Sequence, residues 1–278
     1  MIRKNKEDLE IIGLMRSREQ EWIKFLNSSP EIASGSQIDI DDIQSPSKNL
    51  VSETAHASVI QAVGAMLGVN VLAEAMAIGS HPIAGNTLGP SIRSALLPAV
   101  RALSILIPEQ REERVRRAAQ AKVSELRAKS GSIDNLSELS KVFIAKDKDE
   151  IGQVKKRCED DINIYEKYLG GAAPKETTVV KVVAQNIENL LKDKDPDTGG
   201  FIRDLIVRGW VVYSADAHGW TWQNGLKGEL ATPQEFSPGR FINSWRMDKG
   251  KFLADALTVS NITSTAFAFW NLRSADQS

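Results

Sequence analysis

Between Ala55 and Ile78 the chain is almost uniformly apolar, and a stretch of that length has two fates. It either crosses a bilayer or becomes an inner helix of a bundle. This one carries His56, Gln61, Asn70 and Glu74, and its apolar residues are mostly small. A carboxylate and two amides are costly in hydrocarbon, so the expectation is a buried helix from Val51 to about Ile78, with Ser52 as its N-cap and no membrane partner. Gly64 and Gly68 have the small-xxx-small spacing, which predicts close core packing on that helix rather than an oligomer seam.

The segments around it keep a helical period. Lys4 to Leu26 places Leu9, Ile12, Met15, Trp22 and Leu26 among charges, as one amphipathic helix does. Asn27 to Asn49 is rich in Ser, Pro and Asp and reads as a long connection, with a short turn at Ile40 to Ile43. The turn-forming run Ser80 to Gly89 should break the chain, Pro90 should open a helix over Ser91 to Ile107, and Pro98 should bend it. After Pro108, a charged helix from Glu109 to Lys129 is closed by Gly131, and another follows from Ser132 or Asp134 to Leu169. A shorter helix spans Thr177 to Lys192, and Asp195 to Gly200 reads as a turn. Gly225 to Gly250 is a second long loop, and Lys251 to Arg273 is a final core helix. No period-two run survives, so the expected fold is all-α: a bundle of seven or eight helices with two long irregular loops. Residues 1–50 form an N-terminal helix plus extended connection, and residues 51–278 form the helical bundle domain.

Composition removes several chemistries. Among 278 residues the formal net charge is −1, which gives no global pull toward nucleic acid. Cys158 is the only cysteine, so an internal disulfide and multi-cysteine zinc sites are excluded. The opening MIRKNKEDLEIIG turns acidic before any long apolar region, so no secretory signal is expected and the location read for the chain is cytoplasmic. There is no HExxH, no Gly-Lys-Ser/Thr loop and no Gly-x-Ser-x-Gly elbow. No metal and no cofactor are expected.

Acid–base chemistry near neutral pH is left to three histidines, His56, His81 and His218. His56 falls in the first turns of the apolar helix, where a structural role is expected, and His81 precedes a proline in a turn. His218 is the best placed. The stretch Phe201 to Trp222, FIRDLIVRGWVVYSADAHGWTW, reads as a helix ending at His218-Gly219, and a helix C-terminus favours a protonated imidazole. Ser214 lies four residues earlier, on the same helical face. Trp210, Trp220 and Trp222 mark the segment as buried or as an interface. Arg93, on an apolar helix, and Arg208 are the candidate anion holders. A guanidinium beside an imidazole suits metal-free RNA cleavage. The structural counter-reading is an ion pair, with Asp204, Asp216 or Glu74 as partner.

IRSALLPAVRALSILIPEQREERVRR and YSADAHGWTW resemble the helix pair and the Tyr-x-x-Ser-x-x-x-His-Gly ending of HEPN-like helical bacterial proteins. That superfamily holds metal-independent ribonucleases of toxin and phage-defence systems as well as inactive binding modules. The resemblance implies a cytoplasmic helical interaction module, acting as a homodimer or through a protein partner that the residues do not name. Its alternative is a ribonuclease-type effector acting on RNA, with His218 as acid–base group, Arg93 or Arg208 holding phosphate, and Ser214 orienting the imidazole. In the nuclease signature four to six residues separate Arg and His, whereas nine separate Arg208 from His218. Ten helical steps put those two about 15 Å apart, so Arg93 would have to reach across from another helix.

Overall fold

The computed structural model describes residues 6–78, 85–138, 145–192, 196–217, 228–230, 234–237, 240–242 and 245–276. Its helices are α1 (Lys6–Arg16), α2 (Glu19–Leu26), α3 (Gln37–Ile43), α4 (Leu50–Ile78), α5 (Gly85–Leu106), α6 (Arg111–Glu138), α7 (Ala145–Leu169), α8 (Glu176–Leu191), α9 (Pro196–Ala217) and α10 (Lys249–Ser274). Four short strands lie between α9 and α10: β1 (Gly228–Leu230), β2 (Gln234–Ser237), β3 (Arg240–Ile242) and β4 (Trp245–Met247). β1 pairs antiparallel with β4, and β2 with β3. The class is all-α, as the periodicity predicts. Ten helices among the described residues exceed the expected seven or eight, because the first segment splits in two and the first connection contains a helix.

α4 is the axis of the bundle and packs against α1, α2, α3, α5, α6 and α10. Ala55, Val59, Ala62, Met66, Val69 and Ala73 are all fully buried along one face, at the spacing that 3.6 residues per turn requires. Burying a Val or Met side chain is worth about 1.5–3 kcal/mol, so this face alone contributes a large share of the core. Its N-terminus is capped from outside: Asp42 Oδ1 accepts the N–H of Val51 at 2.8 Å and of Ser52 at 3.2 Å. Ser52 is therefore not the N-cap; its hydroxyl donates to Asn49 O at 3.2 Å. By length and composition α4 also meets the test for a membrane span, with 39% of its most apolar window buried inside the fold.

The two glycines of α4 overturn the expected core packing. Gly64 and Gly68 are exposed, and a Cβ added to either meets nothing within 4 Å. At 100° per residue they lie opposite Met66 and Val69, on a face shared with exposed Ala57, Gln61, Val71 and Ile78.

Other boundaries move for local reasons. The expected first helix breaks at Ser17, whose hydroxyl donates to Leu14 O at 2.7 Å and so competes with the helical ladder. The break lets Glu19 accept from Asn70 at 2.9 Å and pair with Arg16. In the first connection Ser36 Oγ caps α3 by accepting from Asp39 N at 3.3 Å, while Gly35 N donates back to Asp39 Oδ2 at 2.8 Å. Gly35 has φ 79°, the left-handed region that favours glycine. α5 begins at Gly85 and runs unbroken through Pro90 and Pro98. Gly131 does not close α6, which continues to Glu138; a single exposed glycine lowers helix stability by about 1 kcal/mol without ending the helix. α9 starts at Pro196, so Gly199 lies inside it rather than in a turn. A Cβ at Gly199 would sit 3.1 Å from Glu188 O, so the glycine sets how closely α8 and α9 pack. The loop expected over Gly225 to Gly250 contains both strand ladders.

A buried ion cluster ties the N-terminal segment to the bundle. Asp41 of α3 is inaccessible to solvent and accepts from Arg114 Nε at 2.6 Å and Nη2 at 2.9 Å. Arg111 Nε stands 3.6 Å away. Arg273 of α10 reaches the same corner, donating to Leu106 O at 3.2 Å and Pro108 O at 3.3 Å and to Gln37 Oε1. Burial and the neighbouring Arg114 both push the Arg273 guanidinium down from its ordinary value.

Candidate functional site

α5 and α9 cross at Gly209, where an added Cβ would lie 3.4 Å from Leu96 Cδ2. This close approach carries half-buried Arg93 onto α9. Arg93 Nε donates to Ser214 Oγ at 3.3 Å, and its guanidinium carbon lies 5.1 Å from the centroid of the Trp210 ring. That is the geometry of a cation–π contact, worth about 0.5–2 kcal/mol depending on desolvation. Trp210 is buried, and its Nε1 donates to Thr177 Oγ1 at 3.2 Å, which anchors the ring to the first turn of α8. Arg93 of α5 thus reaches Ser214 of α9.

Arg208 is held elsewhere. Its Nη2 lies 3.1 Å from Asp255 Oδ1 and 3.0 Å from Oδ2 on α10, and the Tyr213 hydroxyl donates to the same carboxylate. Arg93 and Arg208 therefore serve different partners. Ser214 accepts from Arg93. His218, His81, Trp220 and Trp222 lie outside the described residues. Of the ion-pair partners expected from sequence, Asp204 binds Arg203 (Nε at 2.9 Å) and Glu74 binds Arg16 (Nη1 at 2.9 Å); the side chain of Asp216 is outside the described set.

Asp255 and Tyr213 are the residues that sequence reasoning missed. Asp255 interrupts the apolar run from Phe252 to Val259, and a lone acid in a core helix is a signal that a cation faces it. Trp210 is expected from sequence as buried or at an interface; its use as a seat for the Arg93 guanidinium is not legible there.

His56 is half-buried, with its ring centroid 5.3 Å from Phe25 and 4.9 Å from Trp270. Burial pushes its pKa down, and its Nε2 has no hydrogen-bond partner among the described residues. An imidazole kept neutral in an aromatic cluster fits the structural role expected of it. Among the described residues no group of three or more His, Cys, Asp or Glu side chains is placed to hold a metal ion. Comparison with family models, with curated proteins and with solved structures finds no match.

Proposed function

We propose that the chain is a helical interaction module of HEPN-like type, acting in the cytoplasm without catalysis of its own. The observation that supports this most is the engagement of its arginines. Arg208 faces a nearly buried carboxylate, with Asp255 side-chain exposure 9%, and Arg93 is seated on Trp210 and Ser214. A guanidinium that must grip a scissile phosphate needs its donors turned toward the ligand, and here Arg208 Nη2 and Arg93 Nε are each bonded to a side chain of the fold. Homodimerisation is the partner reading carried with this proposal.

One observation favours the ribonuclease alternative. The hydrogen bond from Arg93 to Ser214 brings a guanidinium onto the segment that ends, four residues later in sequence, at His218. The deciding experiment is incubation of purified protein with mixed RNA in chelator, wild type against His218→Ala. The interaction-module reading expects no cleavage by either protein. Chelator-resistant cleavage that disappears in His218→Ala would replace it with the nuclease. Light scattering on the same sample reports whether the chain is a dimer.

A further inference from the structure

α5, α6 and α8 line a half-open cavity of about 240 Å³ that is separate from the Arg208–Asp255 pair and from Ser214. Its apolar lining is contributed by all three helices: Leu97 and Val100 of α5, Ala121 of α6, and Val179 and Val182 of α8. Around these stand Arg101, Arg116 and Arg117 together with Glu113 and Glu176, three positive charges against two negative ones.

Each of the three guanidiniums has a partner on the protein, although Arg116 is also half exposed to solvent. Glu113 accepts from Arg116 Nε at 2.8 Å and from Arg117 Nε at 2.6 Å, and Ser104 O takes a further bond from Arg117 at 3.2 Å. The bonds from Arg116, with Arg117 adding to them, hold the Glu113 carboxyl below its ordinary value, so it stays charged and keeps its grip near neutral pH. Arg101 gives one bond among the described residues, at 3.3 Å to half-exposed Glu176, while a guanidinium carries five N–H donors. α8 starts at this cavity: Glu176 and Thr178 line it, and the N-cap residue Lys175 provides no side-chain cap. The positive end of the helix dipole therefore adds to the excess of positive charge.

We infer that this cavity binds a small amphipathic monoanion, a carboxylate on an apolar body of medium-chain acyl size, with Arg101 as the main partner of the headgroup. The apolar lining gives the body its burial, and the single excess positive charge matches one carboxylate. A volume near the lower end of ligand pockets sets the size class. A bare inorganic anion would leave the apolar lining wet, and a neutral apolar molecule would leave the one excess positive charge unmatched. This inference does not rest on the proposed function; it survives either outcome of the RNA experiment.

Calorimetric titration of the full chain with octanoate, octanamide and acetate tests it. Octanoate should bind saturably, with octanamide and acetate about ten-fold weaker or more, the difference expected from hydrogen bonds to a charged group. Arg101→Gln should lower octanoate affinity about ten-fold while leaving octanamide unchanged. Val179→Trp, which fills space at the apolar lining, should remove both, with circular dichroism checking its fold; if it fails to fold, the Arg101→Gln comparison decides alone. Absence of saturable octanoate binding through the millimolar range would overturn the inference. Equal binding of octanoate and octanamide would do the same, as would wild-type octanoate affinity in Arg101→Gln.

Discussion

Replacing Asp41 with alanine removes the carboxylate that three guanidiniums surround. Arg114 has a side-chain exposure of 4%, and its fork makes two bonds to Asp41 at 2.6 and 2.9 Å. Arg111 and Arg273 stand beside it with the same charge. Removing one member of a buried pair costs about 3–5 kcal/mol, because the remaining ion stays out of water without its counter-charge. Against a total stability of about 5–15 kcal/mol, that is a large fraction. At a urea dependence of about 3 kcal/mol per molar, the unfolding midpoint should fall by about 1 M or more. Burial pushes the Asp41 carboxyl up and outweighs the opposing pull of Arg114, so the pair itself carries a desolvation penalty. Asp41→Leu combined with Arg114→Met should therefore recover most of what Asp41→Ala loses. The readout is urea unfolding followed by tryptophan fluorescence, with Trp22 fully buried. An Asp41→Ala protein that unfolds within about 1 kcal/mol of wild type would refute the reasoning.

Gly64→Ala and Gly68→Ala should each stabilise the chain by about 1 kcal/mol, since both sites are exposed helix interior with open space around an added Cβ; a lower unfolding midpoint in the double variant would mean that these positions are packed after all. His56 gives a pH signature. Its folded pKa lies below the unfolded value of 6.5, so the stability it contributes is full above about pH 6.5 and is lost as pH falls through the lower folded value. Wild type should therefore lose stability between pH 7 and 5 more steeply than His56→Leu, by at most about 1.4 kcal/mol per pH unit. Parallel pH profiles for the two proteins would contradict that sign.

Much of the helical framework is legible from neighbours within one turn. The periods of α4, α5, α8 and α10 fall where the apolar residues place them, because each face is written at spacings of three and four. The start of α10 is a local signal of the same kind, with Asp248 accepting from Lys251 N at 3.0 Å. Ser36-x-x-Asp39 at the start of α3 is an equally local capping pattern inside a stretch whose Ser, Pro and Asp content resembles a loop. The strands between α9 and α10 are three or four residues long, too short for an alternation to stand out. What sequence distance hid was the pairing of charges. Asp41 and Arg114 lie 73 residues apart, and Arg208 and Asp255 lie 47 apart, so no window of one or two turns contains both partners. The same holds at the cavity, where Arg101 and Glu176 lie 75 residues apart.

The seat of Arg93 bears most directly on whether the α5–α9 corner belongs to the fold or to a ligand. Urea unfolding of wild type and Arg93→Gln, each with and without a single-stranded RNA oligonucleotide, separates the two. Loss of the Trp210 contact should lower the stability of Arg93→Gln by about 1 kcal/mol, and RNA should leave both midpoints where they are. A rise in the wild-type midpoint on adding RNA, absent from Arg93→Gln, would show a ligand binding the folded state through that guanidinium and would contradict the account.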